Sequence, residues 1–225
     1  MSLSELTTDQ LLKFSEIALS IAGGIGAIIL FVVGYKRYKK GQDWTRMEFL
    51  VEKVRHFLSD KNVQNAMAIL DWDSRPVELF PGKEKYEDRF CSIDRKQLCR
   101  ALIYHREILE LPEGFVHTEI DIAVADVFDS FFLYLVGFHQ YVESKLITHE
   151  ELRPYIEYWI EELIPLDNEP TKAHYLTKQA IYIYLHQFGY KRVLDLCKMY
   201  FFTLKPELNA QEIREQLEAL DDSVT

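Results

Sequence analysis

The stretch "IALSIAGGIGAIILFVVGYKRYKK", residues 17–40, is an apolar run that stops against a basic cluster. From Ile17 to Tyr35 it carries no charge, and Ser20 is the one polar side chain before Tyr35 closes it. At a helical rise of about 1.5 Å per residue the run extends roughly 28 Å, close to the ~30 Å hydrocarbon thickness of a bilayer. A helix of this length in a soluble core would show a polar face, and this one shows none. A cleaved signal peptide needs positive charge ahead of its apolar segment. Here Glu5, Asp9 and Glu16 outnumber Lys13 ahead of the run, and Lys36, Arg37, Lys39 and Lys40 follow it. The pattern predicts an uncleaved transmembrane helix.

The same flanks orient the helix, because positive residues near a span stay on the cytoplasmic side. The N-terminus is expected outside and the remainder of the chain in the cytoplasm. Thr7 and Gln10 have capping-box spacing, so a helix is expected from about Thr7 to about Lys40, with Tyr35 and Tyr38 at the interface. Lys36, Arg37, Lys39 and Lys40 are placed to contact anionic lipid. Ala18, Ala22 and Gly26 recur every four positions, as do Ser20 and Gly24. Small residues on one helix face let membrane helices approach closely, so these five form a candidate pairing face toward a second copy or another span.

Beyond the run, 48% hydrophobic and 28% charged residues are ordinary for a globular protein. Residues 44–225 contain 21 Lys+Arg against 32 Asp+Glu, a formal charge of −11. Nucleic acid requires a basic footprint, so no nucleic-acid partner is expected. Cys91, Cys99 and Cys197 are odd in number and lack C-x-x-C spacing, which suits free thiols in a reducing compartment.

The rest of the chain reads as helices joined by polar turns. In "WTRMEFLVEKVRHFLSD" Met47, Leu50, Val51, Val54, Phe57 and Leu58 make an amphipathic face, and "NVQNAMAILDW" continues after a break near Asp60. Between residues 71 and 93 Pro76 and Pro81-Gly82 interrupt any helix, leaving one long irregular connection in which only "PVELF" alternates like a strand. A helix capped by Ser92 or Asp94 is expected to run to Pro112, and a long apolar one from about His117 to Leu146. Thr148 and Glu151 have capping-box spacing, Gly189 suits the left-handed position after a helix, and Asn209 caps a short terminal helix. The predicted fold class is therefore all-α, with one N-terminal transmembrane helix followed by a cytoplasmic helical-bundle domain. Residues 1–43 comprise tail, span and basic stop; residues 44–225 form the domain.

Asp121, Asp126 and Asp129 argue against a second span at residues 120–138, because each ionised aspartate at membrane depth costs roughly 2.5–3.5 kcal/mol. The segment instead suits the centre of a bundle. Asp126 and Asp129 are expected to project inward, toward His139 or Glu143, and Asp126, Asp129 and His139 form the one polar cluster singled out. Paired Glu-x-x-His repeats, an EF-hand loop, G-x-S-x-G, a P-loop and a dinucleotide fingerprint are missing from the sequence. No catalytic residue, cofactor or metal ligand is assigned.

"AIYIYLHQFGYKRVLDLCKMYFFTLKP", residues 180–206, resembles one helix-turn-helix of a tetratricopeptide repeat through Ala180, Phe188-Gly189-Tyr190 and Pro206. It is a single copy, whereas such arrays need about three repeats to bury a core. The segments "FLSDKNVQNAMAILDW" and "DSFFLYLVGFHQYVESKLITHEELRPYIEYWIEEL", with the span and basic stop, resemble uncharacterised bacterial membrane-anchored helical proteins. That resemblance implies a single-pass protein of the bacterial inner membrane and attaches no catalytic residues. The expected function is a membrane-tethered interaction or scaffold module, an accessory subunit meeting a protein partner or itself. The alternative is a membrane-anchored enzyme using the acidic/His cluster.

Overall fold

The computed structural model describes residues 8–104, 108, 111, 115–165, 169–200 and 208–222. The chain divides into two units, residues 1–49 and 50–225.

A single helix, α1 (Thr8–Ser59), starts in the first unit and ends in the second. It does not stop near Lys40, because the connection Gly41-Gln42-Asp43 contains no proline and one glycine costs only ~1 kcal/mol in a helix. Between Ile21 and Val33 its large apolar side chains are uncovered, from 42% exposed at Val33 to 74% at Leu30. Among the described residues no helix is long and apolar enough to cross a membrane. The side chains of Ile17, Ala18, Leu19 and Ala22, which complete the apolar run, lie outside the described residues. The span expected at residues 17–35 thus rests on the sequence and not on the fold.

The second unit is mostly helical. It takes the end of α1 and adds α2 (Lys61–Asp71), β1 (Ser74–Glu78), β2 (Phe90–Asp94), α3 (Arg95–Ile103), α4 (Glu119–Glu143), α5 (His149–Glu161), α6 (Lys172–Gln187), α7 (Lys191–Tyr200) and α8 (Ala210–Asp222). The stretch expected to be irregular, residues 71–93, instead holds most of a two-stranded antiparallel sheet. In its register Ser74 lies opposite Asp94, Pro76 opposite Ser92 and Glu78 opposite Phe90. Pro76 is compatible with this sheet because β1 has β2 on one side only.

Local chemistry sets the helix ends. Asp60 accepts from the backbone N–H groups of Asn62 and Val63, Asp94 from Gln97, and Asn209 from Glu212. Thr148 and Glu151 form the expected capping box, and Thr118 with Asp121 forms a second one at the start of α4. Gly189 has φ 75°, and the Tyr190 N–H reaches the Leu185 carbonyl at 2.9 Å, closing α6 in a left-handed turn. The last turn of α4 closes the same way with Lys145 at φ 61°. There the Lys145 N–H donates to Val142 and the Leu146 N–H to Tyr141, each at 3.0 Å.

The core forms around α4, whose Phe128, Phe131, Phe132, Leu135 and Phe138 are fully buried. Leu50, Val54 and Phe57 turn one face of α1 into it at helical spacing. The Phe57 ring lies 5.8 Å from Phe131 and 5.3 Å from Phe138, the latter edge-on. Each such phenylalanine contributes roughly 1.5–3 kcal/mol by burial, and the edge-to-face pairs add to that.

Candidate functional site

The sequence-predicted cluster separates along α4. Asp126 is exposed, Asp129 is half-buried and His139 is buried. Asp129 and His139 are ten residues apart on one helix, about 15 Å along its axis. Asp129 Oδ1 accepts from the hydroxyls of Tyr184 at 2.7 Å and Tyr190 at 2.8 Å, so one carboxylate fastens the α6–α7 turn to α4. Burial, followed by the Asp129 carboxylate, pushes both phenols well above their ordinary range. His139 places Nδ1 4.0 Å from Glu143 Oε2.

Asp126 and Asp129 do share a cleft, of about 370 Å³, with Asp121, His117, Tyr184 and Phe188. Asp121 is fully buried and fully used. Its Oδ2 accepts from the Thr118 N–H and hydroxyl, each at 2.8 Å, and meets Arg100 Nε at 3.2 Å. Its Oδ1 accepts from Gln97. This carboxylate closes the capping box of α4 and ties α4 to α3. Among the described residues no group of three His, Cys, Asp or Glu side chains could hold a metal ion.

A second polar cluster, which sequence reasoning missed, joins the end of α2, the start of β1, α3 and α6. Arg95 is 7% exposed. Its Nη2 donates to the Leu70 carbonyl at 2.7 Å and lies 2.8 Å from His174 Nε2, and its Nε meets Asp73 Oδ1 at 3.4 Å. His174 Nδ1 is 2.9 Å from Thr171 Oγ1, the oxygen that caps α6 by accepting from the His174 backbone N–H. A guanidinium has no lone pair to offer, so His174 Nε2 is the acceptor, the imidazole is neutral, and Nδ1 carries the proton toward Thr171. Burial, then Arg95, holds the imidazole below its ordinary range.

One turn further along α6, the buried Lys178 ammonium lies 3.0 Å from Glu169 and 4.0 Å from Glu162. Burial pushes the Glu162 carboxyl up and Lys178 opposes it. Cys99 donates to Thr177 Oγ1 at 3.6 Å, and burial drives its thiol to about 12. A thiol so placed is no nucleophile near neutrality. The Tyr158 hydroxyl donates to Asp71, and that bond leads the rise of its phenol to about 12. The cluster is therefore a fastening of charged groups whose most delicate member is a neutral histidine against a guanidinium. Its one legible signal was position: Arg95 precedes Leu98 and Leu102, and Lys178 precedes Ile181 and Leu185, at the spacing of buried helix faces.

On the far side of α4 a groove of about 570 Å³ runs between α4 and the end of α1, lined by Lys53, His56, Leu133, Tyr134, Phe138 and Tyr141 among others. Leu133 is 62% exposed. Of the candidate pairing residues, Ser20 and Gly24 are exposed and Gly26 is half-buried; the side chains of Ala18 and Ala22 lie outside the described residues. Lys36, Arg37, Lys39 and Lys40 are all exposed along α1. Compared with family models, curated proteins and solved structures, the chain matches none.

Proposed function

We propose that the protein is a membrane-tethered helical interaction module, with α1 as the tether and the second unit meeting a protein partner on the cytoplasmic side. The observation that carries this reading is the sleeve of uncovered apolar side chains on α1, including Ile21, Ile25, Ile28, Ile29, Leu30 and Phe31. Apolar side chains at this density, spread around a helix, are unfavourable in water and favourable in lipid, at roughly 25 cal/mol per Å² removed from water. The four basic residues that follow sit where headgroups would lie, each contributing on the order of 1 kcal/mol next to anionic lipid. The interaction half of the reading is supported by the groove beside Leu133. The candidate small residues Ala18, Ser20, Ala22, Gly24 and Gly26 offer a face through which the tether pairs with a second copy or another span.

Membrane fractionation of the full-length chain tests the tether. Retention through high-salt and carbonate washing supports it, and release by carbonate overturns it. A photo-crosslinker at Leu133 tests the interaction: one defined protein adduct in membranes is expected, and no adduct sinks that half of the reading.

A further inference from the structure

We propose that His174 is a proton-operated latch: as a neutral imidazole it accepts a hydrogen bond from Arg95 and holds the first turn of α6 to α3, and as an imidazolium it leaves Arg95 and frees that turn. The geometry allows no compromise. Arg95 reaches Nε2 at 2.8 Å with a group that only donates, and Thr171 engages the other ring nitrogen at 2.9 Å. A proton added to Nε2 would face the guanidinium N–H directly, cation against cation. The carboxylate that could receive it is that of Asp73, whose Oδ1 is 3.6 Å away on an exposed side chain.

The charged groups around the ring come from every side. Arg95 faces it from α3 and Asp73 from the α2–β1 connection; Glu169 precedes α6, and Lys178 lies one turn on along α6 itself. Asp73 and Glu169 favour the imidazolium, while Arg95 and Lys178 oppose it together with burial, and the opposing group prevails. Glu162, which caps the C-terminal end of α5, lies 4.0 Å from Lys178. Because the ring resists protonation when latched, the opened form takes up the proton more readily, and opening becomes easier as pH falls below the ordinary histidine value of about 6.5. The turn so released carries the Thr171 cap and leads to the Lys178–Glu169 pair, so a proton at one nitrogen loosens the attachment of α6 to α3.

Hydrogen–deuterium exchange of the full-length chain tests this, with amide rates corrected for intrinsic pH dependence. Protection at residues 174–178 should fall by more than about threefold between about pH 7.5 and pH 5, as the opened form takes up the proton that the latched ring resists. In His174→Gln, whose amide oxygen accepts from Arg95 without titrating, it should stay within about twofold. A flat profile in the native chain, or the same fall in H174Q, overturns the latch. Should H174Q not fold, ¹⁵N-histidine NMR of the native chain decides: the Nδ1–H tautomer at about pH 7.5 is expected, and an Nε2–H or charged ring there overturns the proposal.

Discussion

Removing the Asp121 carboxylate should cost about 3 kcal/mol of stability, for reasons that separate into parts. Asp121→Ala deletes the reciprocal half of the α4 capping box, worth about 1 kcal/mol. It leaves Gln97 without the acceptor it reaches from α3, about another 1 kcal/mol. The remaining partner, Arg100, is partly exposed, so its contact with Asp121 is screened and water replaces it; about 1 kcal/mol is the appropriate allowance. For a chain of 225 residues this lowers the melting temperature by roughly 6–12 °C. Urea unfolding of the full-length chain gives the number directly. Asp121→Asn keeps an acceptor oxygen and should lose about half as much. A double-mutant cycle with Gln97→Ala should show a coupling of about 1 kcal/mol. If Asp121→Ala costs under about 0.5 kcal/mol, or the two substitutions are simply additive, the carboxylate does not tie α4 to α3 as described.

Lys145→Gly should stabilise by about 0.5–1 kcal/mol, since glycine adopts the left-handed conformation that lysine holds there at a cost; a destabilised variant in thermal melts would contradict this. Tyr184 and Tyr190 are protonated in the fold above the pH at which the unfolded phenols ionise. Stability present below about pH 10 should therefore be lost as pH rises beyond it, and Asp129→Leu should lessen that loss without abolishing it, since burial remains, while costing about 2 kcal/mol near neutrality. Absorbance titration of tyrosinate alongside unfolding curves checks both. Maleimide should label Cys91 in the native chain and reach Cys99 and Cys197 only on unfolding, since the latter two are buried with thiols at about 12. Equal labelling of all three, read by peptide mass, would contradict their placement.

Elements specified by neighbouring residues were legible in the sequence. The Thr148–Glu151 box, the Asp94 and Asn209 caps and the left-handed Gly189 follow from side chains within four positions of the groups they satisfy. Of the apolar face expected at Met47, Leu50, Val51, Val54, Phe57 and Leu58, periodicity picked out the buried Leu50, Val54 and Phe57, whereas Met47, Val51 and Leu58 are exposed. Features closed over long sequence separations were not. Arg95 and His174 meet across 79 positions, and Asp129 meets Tyr184 and Tyr190 across 55 and 61. No local pattern states that a carboxylate on α4 will find two phenols on a turn, so Asp129 was expected beside His139. The Thr118 cap was missed because its partner three residues on is Asp and not the more familiar Glu or Gln. The sheet was legible only in part: the alternation of "PVELF" overlaps β1, but β2 and its pairing with β1 lie across a proline-bearing connection that no local pattern bridges.

Pro76 in β1 has a consequence for self-association of unfolded or partly folded chains. The carbonyl of Glu78 turns away from β2 and accepts from Asn65 Nδ2 of α2 at 2.9 Å. Backbone polar groups along a strand alternate sides, so the outer edge of β1 presents the groups of Ser74, Pro76 and Glu78. Of these, the proline has no N–H to offer and the Glu78 carbonyl is already engaged. A free strand edge is a template on which a second chain can add and seed aggregates, and charge or proline along it blocks the addition. With Arg75 and Glu78 beside the proline, this edge cannot supply the continuous ladder that an incoming strand requires.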